Sequence, residues 1–513
     1  MLTYVHSVVS RSHPDAAAFM YSKTLEILDK LANRCHQMAP EQLKPIQSAE
    51  HTKTNLEDLR KRFVITPVDK ASNNFALICP KLYLQIMNKE LGVHVVGRQA
   101  HTTGNDVYKL AQQEEVDIIR AHAVETERLT GMTLADENKV TPILWASPKF
   151  HKNPIKFRFI AGAKKASTKT MSTQLATILL HMKEHWERYT TTVSERKGYN
   201  SCWPIDNSGQ VIRMLRRNKL PENTKLSIAD FSTLYTSFEH DIIIDNATEL
   251  IRLLFKHSGK KYVSVGRQAY YHSDEKRKCH KYTCDGVVDL LIYLVKNSYV
   301  AYAGKIFHQT SGIPMGANYS PVLANLCLAY MEYRYLIANP TMGRRLQYTT
   351  RFIDDLLSIG TDALQEAAPQ IYPASLPLSF DNTSDGTGHY LDLAIDRNDK
   401  SIGLFDKRKD FAFNVIRFTD ASSNVPRSTG LNIMYSQALR LARICTQPKD
   451  FAVNLKDLCH TMLCKGYAGI ELQRTLNNIR TRYPSLFIRQ KLKTKRDIDR
   501  LLLETIEGEN SGR

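Results

Sequence analysis

Three carboxylates have the types and spacing that could do chemistry. Asp354 and Asp355 are adjacent within residues 349–358, and Asp230 ends another apolar, strand-like segment. An acidic pair between apolar runs predicts a tight turn between two strands, and charged residues that break strand patterning are typical of functional sites. Adjacent aspartates are also common in solvated turns, so the pair alone is a weak signal.

The chemistry that suits these acids is phosphoryl transfer with two metal ions. Mg²⁺ prefers carboxylate oxygens, and two ions about 3.5–4 Å apart can stabilise the attacking and leaving oxygens. We predict that Asp230, Asp354 and Asp355 are catalytic residues and ligands of two Mg²⁺ ions, for which Mn²⁺ can substitute. Asp230 and Asp354 are predicted to bridge the ions, with Asp355 as the weaker, outer ligand.

The composition limits the class of protein. Among 513 residues, 70 Lys and Arg oppose 52 Asp and Glu, which leaves a formal charge of +18. This excess favours a polyanionic partner, although a basic soluble protein without such a partner has the same composition. No apolar run is long enough to predict a membrane span or a secretory signal. The nine cysteines include no Cys-x-x-Cys pair, which predicts an intracellular location without a disulfide framework.

The elements that would position the acids follow from hydrophobic periodicity. Apolar residues at helical spacing predict a helical N-terminal region at 1–60 and further helices after Pro426. Between these regions, apolar runs bounded by polar turns predict strands and hairpins. They are predicted at 62–84 with a turn at Asp69 and Lys70, at 141–163, from 226 to Asp230, at about 257–286 as an inserted hairpin, at 390–396 and at 403–418.

Six segments follow one another in an order that is far more specific than any one of them. They are SPKFHKNPIKFRFI (147–160), ADFSTLYTS (229–237), GKIFHQTSGIPMGANYSPVLANL (304–326), RFIDDLL (351–357), YLDLAI with DKRKDF (390–395 and 406–411) and YSQALRLARIC (435–445). In this order they resemble the motifs of reverse transcriptases from Penelope-like retroelements, which are related to telomerase. The resemblance spans roughly residues 62–470.

The resemblance implies an α+β fold of the right-hand polymerase type, with an antiparallel palm sheet and helical N- and C-terminal parts. It implies an N-terminal helical region at 1–60, fingers at 61–200, a palm at 201–420 that includes the inserted hairpin, and a helical thumb with a basic tail at 421–513. The implied activity is RNA-directed DNA polymerisation, with an RNA template, a DNA primer and deoxynucleoside triphosphates as partners. Nuclear residence is implied as well.

The resemblance also assigns residues to the nucleotide. Lys149 and Arg158 would grip the triphosphate, since paired cations suit phosphate oxygens. The ring of Tyr235 would exclude a ribose 2′-hydroxyl, although an ordinary core residue has the same local pattern. The residues implied to bind the nucleotide are Lys149, Arg158, Phe231, Tyr235, Gln309 and Gly312.

A second set of residues is implied to contact the nucleic acid. Glycines near residue 316 would let the backbone approach the nascent base pair, because glycine has no Cβ. Arg440 and Arg443 would lie on one helix face and follow the phosphates of the duplex. The full set is Lys70, Lys152, Pro314, Met315, Gly316, Leu391, Arg440 and Arg443.

The chain departs from the family pattern in ways that leave the acids intact. Ala71 stands where the family usually has Gly, Phe159 where it has Pro, and Phe352 where it has Tyr. After residue 470, no segment resembles the GIY-YIG endonuclease that many relatives carry. Three explanations stay open: a branch that lacks the nuclease, a truncated chain, or a separate endonuclease as a partner.

Two other functions stay open. A domesticated, non-catalytic RNA- or DNA-binding protein would keep the fold and the charge, although such a history predicts loss of an acid and all three are present. A viral RNA-dependent RNA polymerase would use the same chemistry. Tyr235 and the Phe-Ile-Asp-Asp turn, in place of Gly-Asp-Asp, argue against that enzyme.

Overall fold

The structure is a computed structural model that describes residues 49–510 except 97–98, 103, 218–224, 277–278, 361, 382–385 and 400. The chain divides into two compact units, Met1–Val64 and Ile65–Arg513. The described part of the first unit holds helix α1 (Ala49–Arg62), so most of the predicted helical region 1–60 lies outside the described residues. No described helix is both long and apolar enough to cross a membrane.

A hairpin and a helix open the larger unit. Strands β1 (Val64–Val68) and β2 (Ala71–Ile78) form a two-stranded sheet. The predicted turn at Asp69 and Lys70 is confirmed, and Lys70 has a left-handed φ of 63°. Next come α2 (Pro80–Leu91) and the antiparallel pair β3 (Val93–Val96) and β4 (Gln99–Thr102).

A five-stranded mixed sheet has the order β5-β12-β11-β6-β7. Two extended runs are predicted at 141–163, and they form the antiparallel pair β6–β7, while β11 lies parallel to β6. The sheet therefore combines residues 108–162 with residues 299–309, which lie far apart in the chain. Its strands are β5 (Tyr108–Leu110), β6 (Ile143–Lys149), β7 (Lys156–Gly162), β11 (Tyr299–Tyr302) and β12 (Lys305–Gln309).

Helices enclose the largest core. The 29-residue helix α4 buries Leu175, Ile178, Met182 and Trp186 against its neighbours. The helices of this region are α3 (Glu115–Thr130), α4 (Lys169–Lys197), α5 (Ser208–Arg217), α6 (Leu234–Ser237), α7 (His240–Ser258), α8 (Cys284–Lys296), α9 (Ser320–Ala338), α10 (Pro340–Arg345) and α11 (Ala363–Ile371). The antiparallel pair β9 (Tyr262–Val265) and β10 (Ala269–His272) lies within 257–286, where an inserted hairpin is predicted.

A four-stranded antiparallel sheet with the order β13-β14-β8-β15 holds the acids. Residues 226–229 of β8 are all buried, as expected of a central strand whose two faces are covered. The strands are β8 (Lys225–Phe231), β13 (Thr349–Phe352), β14 (Asp355–Gly360) and β15 (Leu378–Phe380).

Strands β16 (Thr387–Tyr390), β17 (Leu393–Asp396) and β18 (Ser401–Leu404) form a three-stranded antiparallel sheet. The predicted strand at 403–418 is wrong beyond residue 404. A 3₁₀ turn (Lys407–Asp410) replaces it, because the Asp406 carboxylate accepts a hydrogen bond from the Arg408 backbone N–H. Such a local bond competes with strand pairing.

The chain ends in helices, as the pattern after Pro426 predicts. They are α12 (Arg427–Ile444), α13 (Pro448–Cys464), α14 (Gly469–Arg482), α15 (Pro484–Arg489) and α16 (Lys495–Asn510). These helices bury a core of their own that includes Met434, Phe451, Leu476 and Phe487.

Candidate active site

Asp230 and Asp355 face each other on neighbouring strands. They are direct partners in the antiparallel pair β8–β14, a position in which Cβ atoms lie about 4.5–5.5 Å apart on one face. Asp354 lies in the turn after β13, where Ile353 has a left-handed φ of 54°. The Asp354 carbonyl accepts a 3.2 Å hydrogen bond from the Phe231 N–H, which ties the turn to β8. The three predicted acids therefore come together at one edge.

Burial and neighbouring negative charge raise the pKa values of Asp230 and Asp355. Burial raises the pKa of Asp230, and the charge of Asp354 raises it further. Burial also raises the pKa of Asp355 to about 6, with smaller contributions from Asp354 and Asp230. Grouped negative charge in a partly dehydrated site is unfavourable unless a cation compensates it.

The donor set suits a hard divalent cation. All three side chains offer carboxylate oxygens, and Mg²⁺ retains several waters, so one or two carboxylates per ion suffice. Within the residues that the structure describes, no group of three or more His, Cys, Asp or Glu side chains is arranged so that it could hold a metal ion. The raised pKa values of Asp230 and Asp355 nevertheless indicate that positive charge is favourable at this edge.

Replacing Asp355 with Asn is expected to stabilise the metal-free protein at neutral pH. The pKa of about 6 lies above the ordinary 3.8, so the folded protein binds this proton more tightly than the unfolded chain. Ionisation therefore costs stability as the pH rises from about 4 through 6, and the cost is complete above that range. Thermal unfolding in EDTA at pH 7.5 should give the variant a Tm about 2 °C higher.

The gain should shrink toward pH 4, where the wild-type carboxyl is protonated. Asp362→Asn is a suitable control, because Asp362 forms an exposed ion pair with Lys225 at the far end of β8. It should change the Tm little. A Tm for Asp355→Asn at or below that of the wild type at pH 7.5 would contradict the electrostatic cost.

Lysines from three separate segments surround the acids. Lys70 lies in the β1–β2 turn, Lys152 follows β6, and Lys407 begins the 3₁₀ turn after β18. The charges of all three lower the pKa of Asp230, so they lie near its carboxylate. Burial lowers the pKa of Lys70, and the charge of Lys407 lowers it further. A cluster of like charges beside a cleft favours a polyanion.

Lys407 is a site residue that the sequence prediction missed. Its signal is the charged run DKRKD directly after an apolar strand, but the prediction of a continuous strand at 403–418 hid it. The 3₁₀ turn places Lys407 close enough to lower the pKa of both Asp230 and Asp355.

Lys149 and Arg158, on the β6–β7 hairpin, lie beside Lys70. We call these two residues together with Lys70, Lys152 and Lys407 the positive surface. Arg158 forms an ion pair with the buried Asp69, with Nη1 and Oδ1 2.8 Å apart. Burial lowers the pKa of Lys149, and the charge of Arg158 lowers it further. Asp69 thereby fixes Arg158 against the turn that carries Lys70.

Tyr235 lies on α6, and its hydroxyl is close enough to Asp354 and Arg158 for both charges to act on it. Burial raises the pKa of its hydroxyl to about 12, with added effect from the charge of Asp354, while Arg158 acts in the opposite direction. Its carbonyl accepts a 2.7 Å hydrogen bond from Ile313 N–H. The loop before α9 therefore holds the backbone of the predicted sugar-selecting residue.

The glycines of this loop serve a different purpose from the predicted one. A Cβ on Gly312 would lie 2.3 Å from the Tyr235 carbonyl oxygen, and one on Gly316 would lie 2.1 Å from the Ala161 carbonyl oxygen. Both residues also have positive φ angles, 77° and 125°. The space that the missing side chains leave is thus filled by the protein's own backbone instead of being open to a base pair.

The remaining loop residues hold β7 and the loop together. Met315 follows Pro314 in the chain, and its carbonyl accepts a 2.7 Å hydrogen bond from Ala161 N–H. Gln309 is 1% exposed, and its amide donates to the Ser311 carbonyl. Its buried Oε1 has no hydrogen-bond partner among the described residues.

Solved structures of polymerases resemble this arrangement. Telomerase from Candida albicans, in complex with a fragment of telomeric RNA, matches with a TM-score of 0.58 and 12% identity over 90% of this chain and 73% of that one. The chain has the right-hand polymerase fold. The apo telomerase of Candida tropicalis (TM-score 0.48, 9% identity, 92% and 80% coverage) and an RNA-dependent RNA polymerase of a human picobirnavirus (0.37, 10%, 96% and 91%) are more distant.

Sequence comparisons reach only the C-terminal part of this polymerase fold. The family model of the animal helix-turn-helix domain matches residues 417–477, a region that runs from the segment before α12 into α14. No curated protein matches the sequence.

Four other predicted residues lie in packed or turn positions. Phe231 is 3% exposed and packs edge-to-face on Tyr372, so its side chain belongs to the core and cannot contact a nucleotide. Leu391 forms the β16–β17 turn with a φ of 57°. Arg440 binds Asp392 in the same turn, whereas the Arg443 guanidinium lies over the Tyr483 ring. Each of the two arginines therefore already has a partner within the protein.

A buried ion pair behind the acids was also missed. Arg351 and Glu332 are 0% and 1% exposed, with Nε and Oε1 2.5 Å apart. Arg351 Nη1 donates to the Asn325 side chain (2.7 Å) and to the Ile353 carbonyl (2.9 Å) in the acidic turn. The sequence around Arg351 in its apolar strand does not indicate this partner, because Glu332 lies 19 residues earlier in the chain, on α9.

Proposed function

We propose that the protein is an RNA-directed DNA polymerase of the Penelope-like type, which extends a primer 3′-hydroxyl with deoxynucleotides. The observation that supports this most is the pairing of Asp230 with Asp355 beside Asp354, with lysines from three segments around them. The order of the six motifs supports the finer assignment to reverse transcriptases.

In the proposed reaction, the primer 3′-oxygen attacks the α-phosphorus and pyrophosphate leaves. Asp230 and Asp354 would hold two Mg²⁺ ions between them, and Asp355 would be the outer ligand. Bound Mg²⁺ would stabilise the charge on the attacking and leaving oxygens. Because the pKa of Asp355 is about 6, its carboxyl would be fully ionised only in mildly alkaline solution or with a cation present.

The positive surface would neutralise the triphosphate. Lys70, Lys152 and Lys407 come from three segments and lie near the acids, whereas Lys149 lies near Arg158, which Asp69 holds in place. Charges fixed in position before the reaction stabilise the transition state without reorganisation. We propose that this set binds the β- and γ-phosphates.

The partners follow from the proposed activity. Deoxynucleotides would be selected by the Tyr235 ring, the template would be RNA and the primer would be DNA. That the Candida albicans telomerase was solved with telomeric RNA supports an RNA partner. The same proposal includes an endonuclease supplied by another polypeptide and residence in the nucleus. It also includes contact of the Leu391 turn with the primer and contact of Arg440 and Arg443 with the duplex.

Primer extension by the purified protein tests the proposal. An oligo(dT) primer on poly(rA) with Mg²⁺ and dTTP should be extended, while UTP should be used poorly. Tyr235→Ala should raise UTP use relative to dTTP by about tenfold or more, because the ring no longer occupies the 2′-hydroxyl position. Tyr235→Phe keeps the ring and is the matched control.

The outcomes separate the candidate functions. Extension with UTP as efficient as with dTTP by the wild type would favour an RNA polymerase. A folded protein that binds the primer–template duplex but extends nothing, with Mg²⁺ or with Mn²⁺, would favour the non-catalytic binding protein. Equal UTP use by Tyr235→Ala and Tyr235→Phe would show that the Tyr235 ring does not select the sugar.

A further inference from the structure

An apolar cavity lies between α2 and the β6–β7 hairpin. Its volume is about 860 Å³, a size typical of sites for small molecules. Its wall includes Leu82 and Ile86 from α2, Leu77 from the end of β2, and Phe157 and Phe159 from the hairpin. The proposed polymerase reaction uses none of these five side chains.

Large apolar side chains are exposed around this cavity. Leu77, Leu82 and Ile155 are 51%, 49% and 54% exposed, and all three line the cavity. A single exposed leucine is ordinary, but apolar side chains grouped around a concave surface are typical of ligand-binding grooves. A ligand that covers these side chains would remove them from water, which is favourable.

One carboxylate in the cavity wall lacks a compensating charge. Burial raises the pKa of Glu90, near the end of α2, to about 7. Within the described chain, its backbone carbonyl accepts a 2.7 Å hydrogen bond from the Asn105 side chain, whereas its carboxylate has no hydrogen-bond donor and no ion-pair partner. Burial also raises the pKa of the Tyr108 hydroxyl, and the charge of Glu90 raises it further. The carboxylate therefore lies toward the buried Tyr108 of β5.

The two lysines of the cavity wall do not supply the missing charge. Lys89 and Lys156 are both exposed, and neither contributes to the pKa shift of Glu90. A carboxylate in partly apolar surroundings is stabilised by a cation placed against it. A ligand with a positive charge would provide that cation.

The shape of the ligand follows from the positions of three residues on α2. Leu82, Ile86 and Glu90 are four positions apart, so they form one line along the helix. This line is about 12 Å long, because each residue of a helix rises about 1.5 Å. It runs from two apolar side chains to a carboxylate. The complementary ligand is therefore elongated, apolar along its length and positive at one end.

We propose that this cavity binds an elongated apolar amine. Its ammonium group lies against the Glu90 carboxylate, and its chain lies along Leu82 and Ile86. The carboxylate repels anions, which excludes nucleotides as ligands of this cavity. The site therefore has the opposite preference to the positive surface, which would bind the triphosphate.

The cavity and the positive surface share the β6–β7 hairpin. Phe157 and Phe159 line the cavity, whereas Arg158 between them pairs with Asp69, since successive side chains of a strand lie on opposite faces. An amine in the cavity would contact the strand that carries Arg158, so it should change the KM for dTTP. This consequence rests on the proposed polymerase activity, whereas binding of the amine does not.

Isothermal titration calorimetry of the full chain at pH 8 tests the binding. The probe is n-octylammonium, and the comparison ligands are n-octanol and octanoate, which have a chain of the same length with no charge and with a negative charge. Octylammonium should bind at one site, about tenfold more tightly than octanol, because only the amine compensates the Glu90 charge. Octanoate should bind more weakly than octanol.

The thiol of Cys79 shows whether the amine occupies this cavity. Cys79 lines the cavity and is exposed, and hydrogen bonds from the backbone N–H groups of Leu82 and Lys81 lower its pKa, which favours the reactive thiolate. With octylammonium at about ten times its Kd, labelling of Cys79 by N-ethylmaleimide should slow about tenfold. Labelling of Cys464, which is exposed at the end of α13, should not change.

Three variants separate the charge from the apolar contact. Glu90→Gln keeps the size of the side chain, and it should bind octylammonium about tenfold more weakly and without preference over octanol. Leu82→Ser should weaken octylammonium and octanol alike and keep the preference. Glu127→Gln removes an exposed carboxylate from α3 and should bind as the wild type does. Octylammonium should change the KM for dTTP in the wild type but not in Glu90→Gln.

Four results would overturn the proposal. They are no binding of millimolar octylammonium, equal binding of octylammonium and octanoate, an unchanged preference in Glu90→Gln, and binding that leaves Cys79 unprotected. An unchanged KM despite binding would overturn the link to the triphosphate alone. A protein that binds the amine but extends no primer would contradict the polymerase activity and leave the amine site in place.

Discussion

Asp354→Asn is expected to lower primer extension by at least about a thousandfold. Asn keeps the size of the side chain but removes the charge that would hold both metal ions. A thousandfold loss corresponds to about 4 kcal/mol of transition-state stabilisation, the amount expected when a metal ligand is lost. Single-turnover extension on poly(rA)/oligo(dT) measures the loss apart from primer binding, which should be unchanged.

Asp230→Asn should show a loss of the same size, because Asp230 is the second residue that we propose to hold both metal ions. Asp362→Asn, at the opposite end of the same strand pair, should extend normally. If Asp354→Asn kept extension within tenfold of the wild type, Asp354 would not be a bridging ligand. Loss of primer binding by the variant would instead indicate that the turn had changed shape.

Arg351→Met is expected to destabilise the protein by about 3–5 kcal/mol. The variant leaves the Glu332 carboxylate buried with the Tyr372 hydroxyl, 2.8 Å from Oε1, as its remaining hydrogen-bond donor. Removing one partner of a buried pair leaves an uncompensated charge, which costs about this much. Urea unfolding followed by circular dichroism measures the change in the free energy of unfolding. Arg345→Met breaks the exposed pair with Glu366 and should cost less than about 1 kcal/mol.

The double variant Arg351→Met/Glu332→Leu separates stability from positioning. Removing both charges should recover most of the lost stability. Extension should remain low, because Arg351 also donates to the Ile353 carbonyl beside Asp354. Full recovery of both properties would show that the guanidinium does not position the acidic turn. A single variant as stable as the wild type would contradict the cost of the unpaired carboxylate.

The sequence predicted the elements that short-range patterns encode. Apolar runs with polar turns predicted the β6–β7 hairpin, the turn at Lys70 and the strand before Asp230, because strand burial and turn chemistry act over a few residues. The prediction that Asp230 and Asp354 lie together required only that two strands with acids at their ends reach the same edge of the sheet. Chain order and spacing carried that information.

What the sequence could not predict depends on contacts between distant segments. Arg351 in a strand looks like any solvated charge until Glu332 is brought against it by α9. Gly312 and Gly316 signalled a loop, but the backbone that fills their missing side-chain positions belongs to α6 and β7. The strand predicted at 403–418 failed for the opposite reason, since a single side-chain bond from Asp406 to the Arg408 N–H changed the local structure.

The two loop glycines and the acids are constrained in different ways. Any side chain at Gly312 or Gly316 would meet a carbonyl oxygen at 2.1–2.3 Å, so these positions must stay glycine in every descendant that folds. Asp230 and Asp355 cost the empty protein stability, so a lineage kept only for binding would drift away from them. If the proposed activity is correct, descendants that retain the glycines but have lost the acids would be copies that no longer polymerise, and descendants that retain both would be copies still selected for synthesis.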